Sequence, residues 1–454
     1  MINYPPPESL KRYALLGGAV FDAYTGQVRY DRAIQIEDNR IVAVCAPGDL
    51  PKEIDKVQLG GCMVLPGLID VHVHSEDWHA PLYLAKGITT VRDVGCELES
   101  VLARRARWNA KGAAAPRLVC TGPLLDGPGN TWSATTQIVN SPQEARTQVD
   151  YLVERGVDQI KTYAFINRPC FEAIVDQAHR RGKFVLSHLG KYVDSRQAIE
   201  AGVDEIEHLS GISEAMWWER NQAGKTWDWV KLWATIDADR MARLIDLIVK
   251  QGTWMAITRI VWLRLATAWD TRHLTHPQIQ YLPGPLRKFW ETRFPKKIET
   301  MAVPKNMPVP DRLDRSQQVA GMSIFTTELI RQGAKFLIGT DAPFPFLMPG
   351  FSFLDEIQAL LECGMSETAA LQAATLSAAQ ALEINHLVGS IANGKLADLI
   401  IVDGDPTEDI QALQQIEAVV RDGQWYNPQT LLAQAADYAQ RAEASEQKRF
   451  DSTY

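Results

Sequence analysis

Leu65-Pro66-Gly67-Leu68-Ile69-Asp70-Val71-His72-Val73-His74 is the stretch on which the reading of this chain turns. The turn pair Pro66-Gly67 opens a short apolar run that ends in two histidines separated by one residue. Successive side chains on a strand alternate faces, so His72 and His74 point the same way. Two imidazoles on one side of a strand end can both reach a single metal ion. The bland alternative is a pair of polar side chains at a loop, and spacing alone leaves both open.

Downstream, strand and helix alternate. Candidate strands are Leu68 to His72, Ile88 to Arg92, Arg117 to Thr121, Gln159 to Thr162, Phe184 to Ser187, Glu205 to Glu207, Thr253 to Thr258 and Lys335 to Gly339. Between them lie stretches of helical periodicity, such as Ser141-Pro142 to Arg155-Gly156 and Arg168-Pro169 to Arg181-Gly182. Ser-Pro suits a helix start and Arg-Gly a helix end. Eight strands with helical crossovers predict an α/β fold, a (β/α)8 TIM barrel. An open doubly wound sheet is the alternative, but no glycine-rich dinucleotide fingerprint supports it.

The two ends read differently. Residues 13 to 65 alternate short β-rich runs with turns, among them Tyr13-Ala-Leu-Leu16, Ala19-Val-Phe21, Ala33-Ile-Gln-Ile36 and Ile41-Val-Ala-Val44. A matching piece returns in Gly389-Ser-Ile391, Asp398 to Asp403 and Ala418 to Gly423. Together they predict one small discontinuous β-sandwich, from residues 1–65 and 387–426, around a barrel of residues 66–386. Residues 427–454 read as a C-terminal surface helix and tail. Nine of the thirteen tryptophans fall within residues 214–310; Trp254 belongs to strand seven, and most of the rest lie in what read as insertions after strands six and seven. They suit a bulky apolar pocket or lid, and equally packing within the insertion or a subunit interface.

Composition bounds the classes. At 454 residues, 46% hydrophobic and 22% charged, the chain can bury a large core. A formal charge of −8 with no basic run excludes a polyanionic nucleic-acid partner. Six scattered cysteines with no C-x-x-C pair fit reduced thiols. The start, Met1-Ile-Asn-Tyr-Pro-Pro-Pro7, lacks a charged segment followed by an apolar block, and no apolar run is long enough to cross a bilayer. A cytoplasmic protein with no membrane partner is expected, with a homo-oligomer left open.

The polar residues that end the strands carry the chemistry. His72 and His74 end the first, His188 the fifth, His208 the sixth and Asp341 the eighth, while Lys161 lies inside the apolar fourth. Only nine histidines exist, and four occupy strand ends. A lone histidine there is commonly a polar cap, Asp341 could cap the next segment, and Lys161 could snorkel to solvent. All of these would have to hold at once on five strands. In a barrel, by contrast, every strand's C-terminal end faces one mouth. Tyr163, two residues past Lys161 on the same face, Trp132 in the loop after strand three, and Arg259 just past strand seven are candidate substrate contacts.

The sequence resembles the amidohydrolase superfamily of binuclear type with a carboxylated lysine, in the branch of imidazolonepropionase-like hydrolases and Xaa-Pro dipeptidases. Matching motifs are Pro66 to His74, Gly87-Ile-Thr-Thr-Val-Arg-Asp-Val-Gly95, Ile160-Lys161, Ala178-His-Arg-Arg-Gly182, Ile206-Glu-His208, Gly339-Thr-Asp-Ala342, Pro349-Gly-Phe351 and Gly394 to Val402. The loop Asp126-Gly-Pro-Gly-Asn-Thr-Trp132 departs from the Gly-His that relatives often show, and Leu354 stands where relatives tend to have His. The resemblance implies two divalent metal ions, zinc first with manganese, cobalt or iron as alternatives. It implies His72, His74 and Asp341 on one and His188 and His208 on the other, with Lys161 bridging as a carbamate. It further implies hydrolysis of an amide or other C–N bond in a small molecule by a metal-bridging hydroxide, with Asp341 moving the proton. Candidate substrates are a dipeptide such as X-Pro, an N-acyl amino acid or a cyclic amide. Alternatives are ester, lactone or phosphotriester hydrolysis on the same centre, or a non-catalytic scaffold.

Overall fold

The computed structural model describes residues 11–129, 133–217, 232–292 and 312–442. All eight strands expected in the middle of the chain form, at Leu68–Val73, Ile88–Asp93, Arg117–Cys120, Ile160–Thr162, Val185–Ser187, Glu205–Glu207, Trp254–Ala256 and Lys335–Phe336. Two more, Leu124–Asp126 and Thr136–Ile138, form in the loop after the third. The first three make one parallel sheet, and the remaining seven make a second. The fold is α/β with parallel sheets. Single backbone bonds run between the two. Asp158 N–H donates to Cys120 O (2.9 Å), Val71 N–H to Ile338 O (3.0 Å), Asp341 N–H to His72 O (2.7 Å) and His74 N–H to Ala342 O (2.9 Å).

The helices begin where their caps dictate. Ser141 accepts from the Glu144 N–H at the head of Pro142–Glu154, and Asn167 from the Cys170 N–H at the head of Arg168–Arg180. Each takes a proline in its first turn, where no N–H is needed. Their apolar faces, Val149 and Leu152 on one and Phe171, Ile174 and Val175 on the other, enter the main core. Each such side chain contributes roughly 1.5–3 kcal/mol on burial.

The N- and C-terminal segments share a six-stranded sheet. Its order is Gln424–Tyr426, Ile416–Arg421, Leu399–Val402, Met63–Pro66, Ala19–Asp22 and Gln27–Arg29. Leu399–Val402 runs antiparallel to Met63–Pro66, with Leu399 opposite Pro66, so the run that ends in His72 starts from this sheet. A four-stranded sheet, in the order Arg40–Cys45, Ala33–Glu37, Arg12–Leu16 and Asp55–Gln58, lies in contact with it. Leu15, Ile34 and Ile36 of the smaller sheet and Val64, Leu399, Ile401 and Val420 of the larger form one apolar cluster. Gly389-Ser-Ile391, expected as a strand, is a turn instead. Gly389 has φ +86°, and Lys395 Nζ donates to Ser390 Oγ (2.6 Å), so the segment closes on itself rather than pairing.

Between the seventh and eighth strands the chain inserts helices Arg259–Ala266, Gly284–Thr292 and Arg312–Arg331. Trp290, Ile279 and Leu286 of the insertion pack with Trp78, Phe346 and Met348. Trp233 and Trp290 are wholly buried and fill space, Trp269 is exposed, and Trp218, Trp227 and Trp229 lie outside the described residues. The C-terminal helix, Pro428–Arg441, is not the purely surface helix expected: Leu431, Ala435 and Ala439 are buried on one face. Their 4-residue spacing makes a stripe that packs against Ala80–Ala85. No helix among the described residues is long and apolar enough to cross a membrane.

Candidate metal centre

Six of the residues singled out in the sequence converge at the C-terminal ends of the parallel strands. Asp341 Oδ1 lies 3.2 Å from His72 Nε2 and 3.1 Å from His74 Nε2, so one carboxylate oxygen sits between the two strand-one imidazoles. The donor atoms of His72, His208 and Asp341 all fall within 4.8 Å of one another. His208 lies against His72 with ring centroids 4.5 Å apart, and His188 against His208 at 4.7 Å. Tyr163 flanks His188 at 4.6 Å. His74 is the open member, with a side chain 41% exposed, whereas His72 and His208 are buried.

Backbone shape makes this convergence. Glu207 and His208 are consecutive, and strict alternation would send them to opposite faces. His208 adopts φ +61°, which turns its ring to the side Glu207 already occupies, so that both reach His72. Asp341 does the same at φ +63°, and Thr258, at φ +43°, brings its hydroxyl within 2.5 Å of His208 Nδ1. Left-handed backbone at non-glycine residues costs on the order of 1–3 kcal/mol each, and it clusters here. With Thr258 on Nδ1, Nε2 is the His208 nitrogen left for a ligand. The His208 carbonyl accepts from the Trp262 indole N–H (3.1 Å), so the residue is held at ring and backbone alike.

Lys161 lies beneath, buried, in ion-pair contact with Glu207, whose other oxygen is 2.7 Å from His72 Nδ1. His72 Nδ1, Lys161 Nζ and the two Glu207 oxygens thus face one another, and no hydrogen bond ties them to any other group. A buried amine, carboxylate and imidazole with only each other for company suit a site that a further group completes. Burial pushes Lys161 well below the usual lysine range, towards the neutral amine. It lowers His72 and His208 too, and His188 to about 3, which favours the imidazole form with a lone pair to give. Burial alone would raise Asp341, but His72, His74 and His208 outweigh it and hold the carboxyl well below its usual range. Neutral imidazoles around one carboxylate are a donor set that suits a divalent cation. The residues fit the group.

The remaining expectations divide. Arg259 does not turn towards the cluster. Its Nε donates to Ala359 O (3.0 Å) and its Nη2 to Ser323 Oγ (2.9 Å), in the packing between helices. Trp132 lies outside the described residues. Glu207, Thr258 and Trp262 join the site without having been singled out in the sequence. For Glu207 a signal exists: a charge inside a short strand, as with Lys161. Glu205 and Arg92 carry the same signal, and they pair with each other from the two parallel sheets at 2.5 Å.

A sequence model of the Amidohydrolase family matches residues 63–426, the segment that contains every one of these side chains. The chain belongs to the amidohydrolase family. An adenine deaminase of Serratia proteamaculans is 25% identical over 400 residues, covering 86% of this chain and 53% of that protein. The chain therefore spans about half the length of that curated relative. An ochratoxinase of Aspergillus niger is 22% identical over 463 residues, covering 87% of this chain and 82% of its own length. Among solved structures, a Xaa-Pro dipeptidase with methionine in its active site superposes with a TM-score of 0.66 at 23% identity. It covers 92% of this chain and 100% of its own. That likeness speaks for the fold.

Proposed function

We propose that this amidohydrolase is a metal-dependent hydrolase of a C–N bond in a small molecule: a dipeptide such as X-Pro, an N-acyl amino acid or a cyclic amide. The observation that carries it is Asp341 Oδ1 set within 3.2 Å of both His72 and His74, with His208 in the same cluster. The relatives, an adenine deaminase, an ochratoxinase and a Xaa-Pro dipeptidase, support the bond class and leave the substrate open.

His72, His74 and Asp341 would hold one divalent cation, zinc before manganese, cobalt or iron, and His188 and His208 a second. Lys161 would help hold both after its neutral amine adds to carbon dioxide: an N–C bond forms, one C–O π bond opens to give a carboxylate oxygen, and an N–H bond gives up its proton. Bound cations supply Lewis acidity, which lowers the pKa of water from 15.7 to about 7 and polarises a carbonyl. Asp341 accepts the proton of the attacking water on a carboxylate oxygen and passes it to the leaving nitrogen. Its low pKa keeps it ionised and ready for that transfer at neutral pH. Tyr163, partly exposed beside His188, is placed to contact substrate. Arg259 acts on the site only through the helix packing.

The same reading takes the two parallel sheets as one (β/α)8 barrel, supported by the parallel bridge Val73–Ala342 and the bond from Asp158 to Cys120. It takes the two terminal sheets as a sandwich of residues 1–65 and 387–426. The test is elemental analysis of the purified protein, then activity of the metal-loaded form against dipeptides, N-acyl amino acids and lactones. About two equivalents of metal with hydrolysis of one amide class is the expected result. Turnover of lactones alone would move the proposal to ester chemistry, and metal-free protein inert to the whole panel would end it.

A further inference from the structure

Asp70 and Thr340 lie just before His72 and Asp341 in the chain. Asp70 is wholly buried. Its Oδ1 accepts from the backbone N–H groups of His72 (3.2 Å) and Thr340 (3.1 Å), and its Oδ2 accepts from the Thr340 hydroxyl (2.7 Å). Thr340 Oγ1 in turn accepts from the Ala342 N–H (3.2 Å). Three hydrogen bonds thus converge on one carboxylate, and a fourth continues through the hydroxyl to the far side of Asp341. The two chain segments approach closely at this point. A Cβ on Gly339 would fall 2.7 Å from the His72 Cβ, and Asp341 N–H reaches His72 O at 2.7 Å.

Asp341 is the one residue inside this bracket with left-handed backbone, at φ +63°. Such a conformation persists only where its surroundings over-determine it. The residue before Asp341 is tied to Asp70 by N–H and hydroxyl, and the residue after it is tied to the Thr340 hydroxyl. The Asp341 carboxylate is therefore held on the His72–His74 pair by a hydroxyl that itself touches neither. We propose that the Asp70–Thr340 pair is a positioning clamp for the metal centre, and that it fixes Asp341 against His72 through the Thr340 hydroxyl. The inference rests on the hydrolase reading, since it assigns the clamp to the reaction's proton carrier.

The informative change is Thr340→Val, which removes the hydroxyl at nearly constant volume, set against Thr340→Ser, which keeps it. Metal affinity is read by chelator competition, and the cobalt-substituted protein by its visible absorption. Supporting groups of this kind typically contribute about 10–100-fold in metal affinity or activity. T340V is expected to lose about tenfold or more in metal affinity, to alter the cobalt spectrum, and to lower kcat while KM stays within about twofold. T340S should restore all three. T340A, which removes the hydroxyl without adding bulk, carries the same expectation should T340V fail to fold. Hydroxyl-free variants that match T340S in metal affinity, spectrum and kcat overturn the clamp and leave the hydrolase reading standing. A wild-type protein that takes up no metal and hydrolyses nothing overturns that reading, and the clamp with it.

Discussion

Glu356 sits wholly buried on Ser352–Leu361, and its two carboxylate oxygens accept from the first N–H groups of another helix, Arg259 (2.9 Å) and Ile260 (2.6 Å). That helix starts immediately after Thr258, the residue that holds His208. Burial raises the carboxyl from 4.5 to about 7, more than its two backbone bonds lower it. The folded protein therefore binds this proton more tightly than the unfolded chain does. The resulting stabilisation is complete below pH 4.5, falls as pH rises, and is lost on passing pH 7. A gap of 2.5 units at 1.36 kcal/mol per unit makes the whole effect on the order of 3 kcal/mol. Glu356→Gln keeps the shape but cannot ionise, and its donor-only amide nitrogen leaves one of the two N–H groups without an acceptor at every pH. That loss is a constant offset between wild type and E356Q. Between pH 4.5 and pH 8 the stability difference should shift towards the variant by about the amount given above. Guanidinium titrations of metal-free protein, followed by circular dichroism from pH 4.5 to 8.5, measure the difference, in which all other titrating groups cancel. A wild-type-minus-variant difference that stays flat across that range would refute the raised pKa and the cost assigned to burying this carboxylate.

Other outcomes follow from the site and from the insertion. Asp341→Asn, assayed in excess metal, should lower kcat by about a thousandfold, within the range of general acid–base catalysis; unchanged turnover in a steady-state assay would remove Asp341 from the mechanism. Lys161→Ala should cost metal occupancy by elemental analysis, with part of the activity restored by short carboxylic acids; full occupancy without them would discard the bridging role. Trp290, wholly buried 5.7 Å from the Phe346 ring, supports the loop that follows Asp341. Trp290→Ala should cost about 3–5 kcal/mol and lower kcat as well. Thermal unfolding and kinetics together check it, and loss of stability with kcat intact would detach the insertion from catalysis.

Much of this arrangement was legible before any coordinates, because the signals are local. His72 and His74 follow from two-residue alternation on one strand. The eight parallel strands follow from apolar runs and turn residues, and the caps Ser141 and Asn167 from helix-end chemistry a few residues long. Strand boundaries erred where backbone bonds outlast regular pairing, as beyond Phe336, where Ile338 and Ala342 still bond the first strand. Gly389-Ser-Ile391 failed as a strand because one lysine bond and a left-handed glycine make a closed turn cheaper than a ladder there.

The sequence by itself determined which residue types end which strands, and so which side chains were available for a shared centre. Tertiary structure decided what each of them touches. Arg259 was near the mouth in sequence, yet Ala359 and Ser323, 100 and 64 residues away, take its guanidinium into helix packing. Glu207 meets Lys161 and His72 across three strands, and Asp70 meets Thr340 across 270 residues. Alternation and propensity reach only a few residues along the chain, and His208 and Asp341 break even that with positive φ. Which strands become neighbours, and at what register, is fixed by burying the whole core at once, so those pairings belong to the folded chain alone.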